Sequence, residues 1–263
     1  MSQSKVGLSL LIITKNEEKM VGDCLESVRG LVNEIILVDD FSTDNTVLIA
    51  KKYQAKVFIE STGTVAGQRK YGLSKVTNDW VLILDADERI SAELKKEMIK
   101  WLTGSMIKNT AFLIPFQSFY LGRPLYYGGE NYSKFALFKK SCVKIDLVNV
   151  HEHFVVKKGK TSKLRNKILH YSYRSISEMY KKFTDYAFKM AHEKYKMGER
   201  SSFKKIFLYP LHMIWARFIK DKGYKDGMFR LPLDIGFGYM EFVTYFVLFL
   251  KVWQYNLPYF RIL

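Results

Sequence analysis

Short apolar runs alternate with helically spaced stretches along the first half of the chain. Leu8 to Ile13, Ile35 to Val38, Val57 to Ile59, Val81 to Leu84 and Phe112 to Ile114 each have the length of a strand rather than a helix. Between the first two runs Cys24, Leu25 and Val28 fall at helical spacing, and Val47, Leu48 and Ala50 do the same within Asp44 to Tyr53. Both stretches suit crossover helices, so the pattern predicts an α/β fold on a mainly parallel sheet with flanking helices. The first run, bounded by Lys5 and Lys15, has neither the length nor the small-residue cleavage site of a signal peptide and reads as the first strand.

Beyond a helical segment from Ser91 to Leu102 the pattern changes. Residues 110–173 are rich in aromatics and broken by Gly122, Pro124, Gly128 and Gly129, which predicts mixed or antiparallel strands and loops that hold a second substrate. Ser175 and Glu178 form a capping box, and Met179, Phe183, Ala187, Met190 and Ala191 keep a helical core stripe until Gly198. Two aromatic-rich stretches follow, Phe203 to Ile219, interrupted by Pro210, and Phe237 to Trp253. The first carries Lys204, Lys205 and Arg217, with Lys220 just beyond it. Such edges fit amphipathic helices lying in a membrane interface better than a bundle packed on the first domain or a dimer contact. The longest uncharged apolar run, Phe242 to Leu250, falls far short of a bilayer, so no full membrane span is expected.

Polar groups gather where the strands end. Thr14-Lys15-Asn16-Glu17-Glu18 follows the first run, and Asp39-Asp40-Phe41-Ser42-Thr43-Asp44-Asn45-Thr46 follows the second. The fourth runs directly into Asp85-Ala86-Asp87-Glu88-Arg89. Each cluster alone has an ordinary reading as turn and N-cap chemistry. In a parallel sheet these ends converge on one edge, which is where open α/β sheets bind ligands. Asp-x-Asp offers hard oxygen ligands to Mg²⁺ or Mn²⁺; the plain alternative is a pair of acids favouring the dipole of a following helix. Glu88 and Arg89 are assigned to the start of that helix. Gly63 to Gly72 sets Arg69 and Lys70 just ahead of the acidic strand end, either facing a diphosphate or forming a solvated face. This stretch matches neither the P-loop nor the dinucleotide fingerprint.

Charge narrows the partners. The 263 residues carry 42 Lys and Arg against 26 Asp and Glu, a formal net charge of +16. That balance favours an anionic partner, whether nucleic acid, a phosphorylated substrate or an anionic membrane face. Cys24 and Cys142 are too few for a disulfide framework and read as packing residues in a reducing compartment. His151-Glu152-His153 has no third ligand at metal spacing, which disfavours zinc. Glu152 reads either as a general base or as an exposed carboxylate paired with nearby lysines.

With these segments in order, the chain resembles family 2 glycosyltransferases of the GT-A fold over residues 7–173. The resemblance rests on Leu-Ile-Ile-Thr-Lys-Asn-Glu at 11–17, Ile-Leu-Val-Asp-Asp-Phe-Ser-Thr-Asp-Asn-Thr at 36–46, Gly67-Gln68-Arg69-Lys70-Tyr71-Gly72, and Asp85-Ala86-Asp87. Downstream, Val150-His151-Glu152 and Leu169-His170-Tyr171-Ser172-Tyr173-Arg174 are similar to the branch that adds β-linked glucose to lipopolysaccharide core. The resemblance implies that Thr14, Asn16, Glu17 and Asp39 or Asp40 bind the uridine of a UDP-sugar, with Arg69 near the base or diphosphate. It implies that Asp85 meets the ribose or sugar beside Ala86, and that Asp87 binds a divalent metal, Mg²⁺ or Mn²⁺. His170 is implied at the diphosphate or metal, against a plain structural hydrogen bond. Glu152 is the candidate base, with Glu130 and Asp146 in reserve. Two departures bear on the fine contacts: Phe41 stands where many relatives have glycine, and Lys70-Tyr71 where Asn-x is common.

The reading is therefore an inverting, metal-dependent hexosyltransferase that moves glucose from a UDP-sugar to a lipopolysaccharide-core or other lipid-linked acceptor. The expected organisation is a catalytic domain over 1–174, with a nucleotide-sugar half (1–103) and an acceptor half (104–174), then a membrane-associating helical region over 175–263. The expected location is peripheral, on an anionic membrane surface at the cytoplasmic face of the inner membrane. The alternatives are a metal-dependent nucleotidyltransferase and a basic nucleic-acid-binding module. The second is disfavoured because the aromatics cluster in apolar helical stretches instead of alternating with cations on strands.

Overall fold

The computed structural model describes residues 6–104, 109–130, 132–148 and 151–256, with the side chains of 145–148, 151–153 and 252–256 outside that description. The chain forms two compact units, Met1–Gln117 with Tyr132–His170, and Ser118–Asn131 with Tyr171–Leu263.

The first unit opens with the predicted alternation: β1 (Leu8–Thr14), α1 (Val21–Ser27), β2 (Glu34–Asp39), α2 (Thr46–Lys52), β3 (Lys56–Ile59), α3 (Val65–Lys75) and β4 (Trp80–Asp85). These strands lie side by side in the order β3-β2-β1-β4, all parallel. Helices cover both faces, so β1 and β4 are apolar at consecutive positions instead of alternating. Leu10, Ile12, Leu82 and Leu84 pack into one layer with Cys24 and Leu25 of α1, while Leu11, Val38 and Ile83 form the other under α3. Gly72 permits the second layer: a Cβ there would stand 2.4 Å from Leu11 Cδ1 and 3.0 Å from Val38 Cγ2. Its absence lets α3 rest directly on β1 and β2.

There follow β5 (Glu88–Ile90), α4 (Ala92–Thr103), β6 (Asn109–Tyr120), β7 (Arg123–Pro124), β8 (Ser133–Lys139), β9 (Val143–Val148), β10 (His151–Val156), β11 (Lys160–Lys163) and β12 (Ile168–Tyr173). β8 runs antiparallel between β4 and β6, β12 pairs antiparallel with β5, and β9 with β10 makes a separate antiparallel pair. The aromatic-rich middle is thus the mixed region that its breakers predicted. One assignment is corrected: Glu88 and Arg89 lie in β5 and not in a helix. Helix α4 begins only after Ser91, whose Oγ accepts the Leu94 N–H at 3.1 Å. Glu88 is drawn inward by a buried cation described below.

The second unit contains α5 (Ile176–Lys196), α6 (Phe203–Trp215) and α7 (Leu231–Asn256), with α7 packed on both others. The predicted cap forms, Ser175 Oγ accepting the Glu178 N–H at 3.1 Å. The expected break at Pro210 does not occur. Pro210 and Ile206 are buried on the inner face of α6, and packing outweighs the missing hydrogen bond. The helix continues as a π-helical turn, Ala216–Lys220. Among the described residues, Met228–Lys251 is the stretch whose length and composition would suffice to cross a membrane. Core helices share those properties. This one is enclosed in part, burying Leu233, Asp234, Thr244 and Leu248 while Ile235, Phe246 and Leu250 stay exposed, and it is longer than its apolar run because Asp234 and Glu241 interrupt the sequence pattern.

Buried charge fixes the start of α7. All five guanidinium N–H groups of the fully buried Arg230 find acceptors: Asp234 Oδ1 and Oδ2, Asp226 Oδ2, and the carbonyls of Tyr127 and Gly128, at 2.7–3.1 Å. Arg217 joins through Asp234 at 3.1 Å and a short contact with Glu130. Gly128, at φ 68°, is required because a Cβ would overlap the Arg230 guanidinium at 2.0 Å.

Candidate active site

Register places three acidic or hydroxylic strand ends in line. Thr14 pairs across to Asp39, and its neighbour Ile13 pairs across to Asp85, so β1, β2 and β4 end together on one edge. The edge is polar because the chain leaves the core there, and the apolar runs of β1 and β4 upstream of it are covered.

At the β1–β2 ends Asp39 is wholly buried and acts as a hub. Its Oδ1 accepts from Thr14 Oγ1 at 2.9 Å and Ser42 Oγ at 2.6 Å, and its Oδ2 accepts from the Ser42 N–H at 2.7 Å. Asn16, at φ 55°, donates its backbone N–H to Ser42 Oγ at 2.7 Å and accepts the Thr43 N–H on Oδ1 at 2.8 Å. The Glu17 N–H is bound by Thr46 Oγ1 at 2.7 Å. Two loops are thereby stitched into one rim. Asp40 stays nearer solvent and pairs with Lys15 at 2.8 Å; this hydrogen bond and that of Ser61 hold its carboxyl below the usual range. Phe41 is exposed and adopts φ 53°, the left-handed geometry that favours glycine.

At the end of β4 two cations grip Asp85. Arg69, delivered by α3, makes a short contact with Oδ1, and Lys134 of β8 reaches Oδ2 at 2.9 Å. Lys134 also lies 2.8 Å from each Glu88 oxygen, and the Asp85 N–H donates to Glu88 Oε2 at 2.9 Å. Burial would raise the Asp85 carboxyl, but Lys134 and Arg69 hold it well below the ordinary value. Burial pushes the Glu88 carboxyl up, opposed by Lys134 and reinforced by Asp85. Lys134 itself is raised by the two acids despite its burial.

Asp87 turns the other way. Its Oδ2 stands 3.5 Å from His170 Nε2, with each side chain 18 % exposed. Tyr132 Oη lies 3.3 Å from His170 Nδ1, and Phe116 meets the imidazole edge-on at 5.3 Å between centroids. One ring nitrogen is thus aimed at Asp87 and the other is occupied by Tyr132. Ala86 is buried between the two acids.

The structure therefore brings Thr14, Asn16, Glu17, Asp39 and Asp40 into one rim, Arg69 onto Asp85, and His170 onto Asp87. Glu152 pairs in register with Leu147 on the β10–β9 hairpin, and its side chain lies outside the described residues, as does that of Asp146. Glu130 is committed to the Arg217 cluster of the second unit. Lys134 escaped the sequence reading, and Glu88 was assigned to a helix start instead of the site. The only available signal was a lone lysine in the apolar strand Ser133-Lys134-Phe135-Ala136-Leu137. A cavity of about 630 Å³ lies elsewhere, lined by Glu34, Ile35 and Lys56 at the starts of β2 and β3; it lacks a comparable set of carboxylates.

The glycosyl transferase family 2 model matches residues 9–115, the segment that supplies the ends of β1, β2 and β4. An uncharacterised glycosyltransferase of Rickettsia typhi is 31 % identical over 224 residues, covering 79 % of this chain and 74 % of the relative. The chain belongs to glycosyl transferase family 2. Its sheet, mainly parallel with flanking helices, is the GT-A arrangement of that family. This glycosyltransferase is also 26 % identical over 250 residues to the lipopolysaccharide core biosynthesis glycosyltransferase LpsC of Rhizobium meliloti, covering 91 % of this chain and 88 % of that one. Among solved structures, glucosyl-3-phosphoglycerate synthase from Mycobacterium tuberculosis, in complex with Mn²⁺, UDP and glucosyl-3-phosphoglycerate, is 25 % identical over 44 % of each chain with a TM-score of 0.33. A likeness at that score fixes nothing for this chain.

Proposed function

We propose that this glycosyltransferase is a metal-dependent inverting enzyme. In this reading it moves a hexose, glucose first among the candidates, from a UDP-sugar to lipopolysaccharide core or another lipid-linked glycan. It works as a peripheral protein at the cytoplasmic face of the inner membrane. The observation that carries the reading is the Asp87–His170 pair beside Asp85, on the same sheet edge as the Thr14–Asp39 rim. The name of the Rhizobium relative supports the acceptor class.

The donor set suits a divalent cation. Asp87 supplies hard oxygen and His170 Nε2 an imidazole nitrogen, and both retain access to solvent. Among the described residues no group of three or more His, Cys, Asp or Glu could hold a metal alone. The remaining positions would fall to diphosphate oxygens and water, as Mg²⁺ prefers. A bound cation would neutralise the departing diphosphate.

The chain's own residues perform the rest. Asn16, Glu17 and Asp40 offer acceptors and donors to the uracil edge and ribose, on a rim that Thr14 and Asp39 hold rigid. Arg69 and Lys134 place two positive charges where the diphosphate approaches, and they fix Asp85 for contact with ribose or sugar hydroxyls. Glu152 takes the proton from the acceptor hydroxyl as its oxygen attacks the anomeric carbon from the face opposite UDP, which inverts that centre.

The test is incubation of the full chain with UDP-glucose, Mn²⁺ or Mg²⁺ and rough lipopolysaccharide. UDP release with sugar transfer, lost in Asp87→Ala, supports the reading; transfer unchanged in Asp87→Ala removes the metal assignment. Pyrophosphate release in place of UDP would make the protein a nucleotidyltransferase.

A further inference from the structure

The exposed face of α6 is apolar, which reverses the pattern expected of a surface helix. Phe203, Phe207, Leu211, Trp215 and Ile219 recur every fourth residue through α6 and its π-helical turn, and their exposure runs from 48 % at Ile219 to 71 % at Phe203. Leu208 widens the stripe. The opposite side of α6, with Ile206 and Pro210, is spent on the unit's interior. A continuous exposed stripe of large side chains is a contact surface rather than scattered surface hydrophobicity.

Charge identifies the occupant. From Ser201 to Lys220 the sequence contains no acid, while Lys204 lies exposed within the arc of the stripe and Lys220, Lys222 and Lys225 outnumber the exposed Asp221 just beyond it. A second copy of this chain would bring the same cations against themselves. An anionic lipid surface complements them, with the aromatic and aliphatic groups seated at the headgroup boundary and the lysine stems extended along it. At 13 residues α6 is too short to cross a bilayer. It is shaped to lie in the interface. Helix α7, the more apolar by composition, packs on α5 and α6 and carries the Asp234 ion cluster, with Ile235, Phe246 and Leu250 left exposed.

We propose that the Phe203–Phe207–Leu211–Trp215 face of α6, with Ile219, is the docking surface of this glycosyltransferase for a bilayer rich in anionic phospholipid. The proposal deepens the reading of a lipid-linked acceptor, and its test uses neither sugar nor acceptor, so the two can fail separately.

The experiment is co-sedimentation of the full chain with phosphatidylcholine vesicles, with and without phosphatidylglycerol. The pelleted fraction should rise with phosphatidylglycerol and fall at high salt. Leu211→Glu with Trp215→Glu, at exposed positions, should weaken vesicle binding by about tenfold or more while circular dichroism and thermal unfolding stay unchanged. Phe246→Glu, at an exposed position of α7, should leave binding intact. Equal recovery of the double variant and the wild type overturns the proposal, as does loss of binding in Phe246→Glu alone. So does a wild-type dimer that the double variant converts to a monomer, since the face would then belong to a second copy. Should the double variant unfold, Phe207→Ser alone is measured in its place, with an unchanged pelleted fraction again overturning the proposal.

Discussion

His170 Nε2 stands 3.5 Å from Asp87 Oδ2, although 83 residues separate them in the chain. Antiparallel pairing of β12 with β5 produces this meeting, because His170 lies opposite Glu88, one residue beyond Asp87. A carboxylate and an imidazole so placed share one task in the proposed chemistry.

Asp87→Ala should lower transfer by about 100-fold or more, as expected for losing charge stabilisation at the leaving group. His170→Ala should act more mildly, raising the divalent-metal concentration needed for half-maximal activity by about 10- to 100-fold. Removal of metal with EDTA should abolish transfer, and added Mn²⁺ or Mg²⁺ should restore it. A metal titration of wild type and both variants checks all three.

Lys134 balances the buried Glu88 and the half-buried Asp85, and its loss should be felt as instability before it is felt as chemistry. Lys134→Met leaves Asp85 and Glu88 facing each other with Arg69 as the remaining cation, at a cost of about 3 kcal/mol. Glu88→Gln in the same background should return part of that loss, since one uncompensated charge is removed. Denaturant unfolding of the single and double variants gives the coupling directly.

Glu34 should govern part of the acid sensitivity of the first unit. Burial alone would raise its carboxyl, but hydrogen bonds from Ser9, the Thr77 backbone and Lys56 bring it from 4.5 to about 2. Its folded value lies below its unfolded one, so its contribution is fully present above about pH 4.5 and disappears as pH falls toward 2. Glu34→Gln should flatten the stability profile across that window, by up to about 3 kcal/mol. Unfolding free energy measured at pH 2–6 on both proteins checks the slope.

Arg230 should be the most sensitive single residue of the second unit. Replacing it with methionine strips five hydrogen bonds and leaves the buried Asp234 and Asp226 carboxylates short of a partner, costing about 3–5 kcal/mol. Arg230→Lys should recover little, because an ammonium cannot span acceptors on both sides of a planar fork. Proteolysis between residues 121 and 130, the segment that Arg230 holds through Tyr127 and Gly128, should accelerate in step.

Features set by neighbours along the chain were legible in the order of residues. Apolar runs of strand length separated by helical spacing were enough for the β1–α1–β2–α2–β3–α3–β4 order, and Ser175 with Glu178 for the start of α5. Acids directly following apolar runs marked the candidate active edge, since a strand that leaves the core must end in groups that tolerate water. Tertiary structure decided what depends on separate segments meeting. Lys134 reaches Asp85 from 49 residues away, and only the antiparallel placement of β8 beside β4 makes that lysine part of the site. Glu88 looked like a helix-start acid because its local neighbours allow it; the buried ammonium and the pairing with β12 fixed it in a strand. Likewise, both aromatic helices read alike from composition, yet α7 packs against two partner helices while α6 turns the Phe203–Phe207–Leu211–Trp215 stripe outward. Periodicity specifies that a helix has an apolar stripe; which surface covers the stripe is decided by packing.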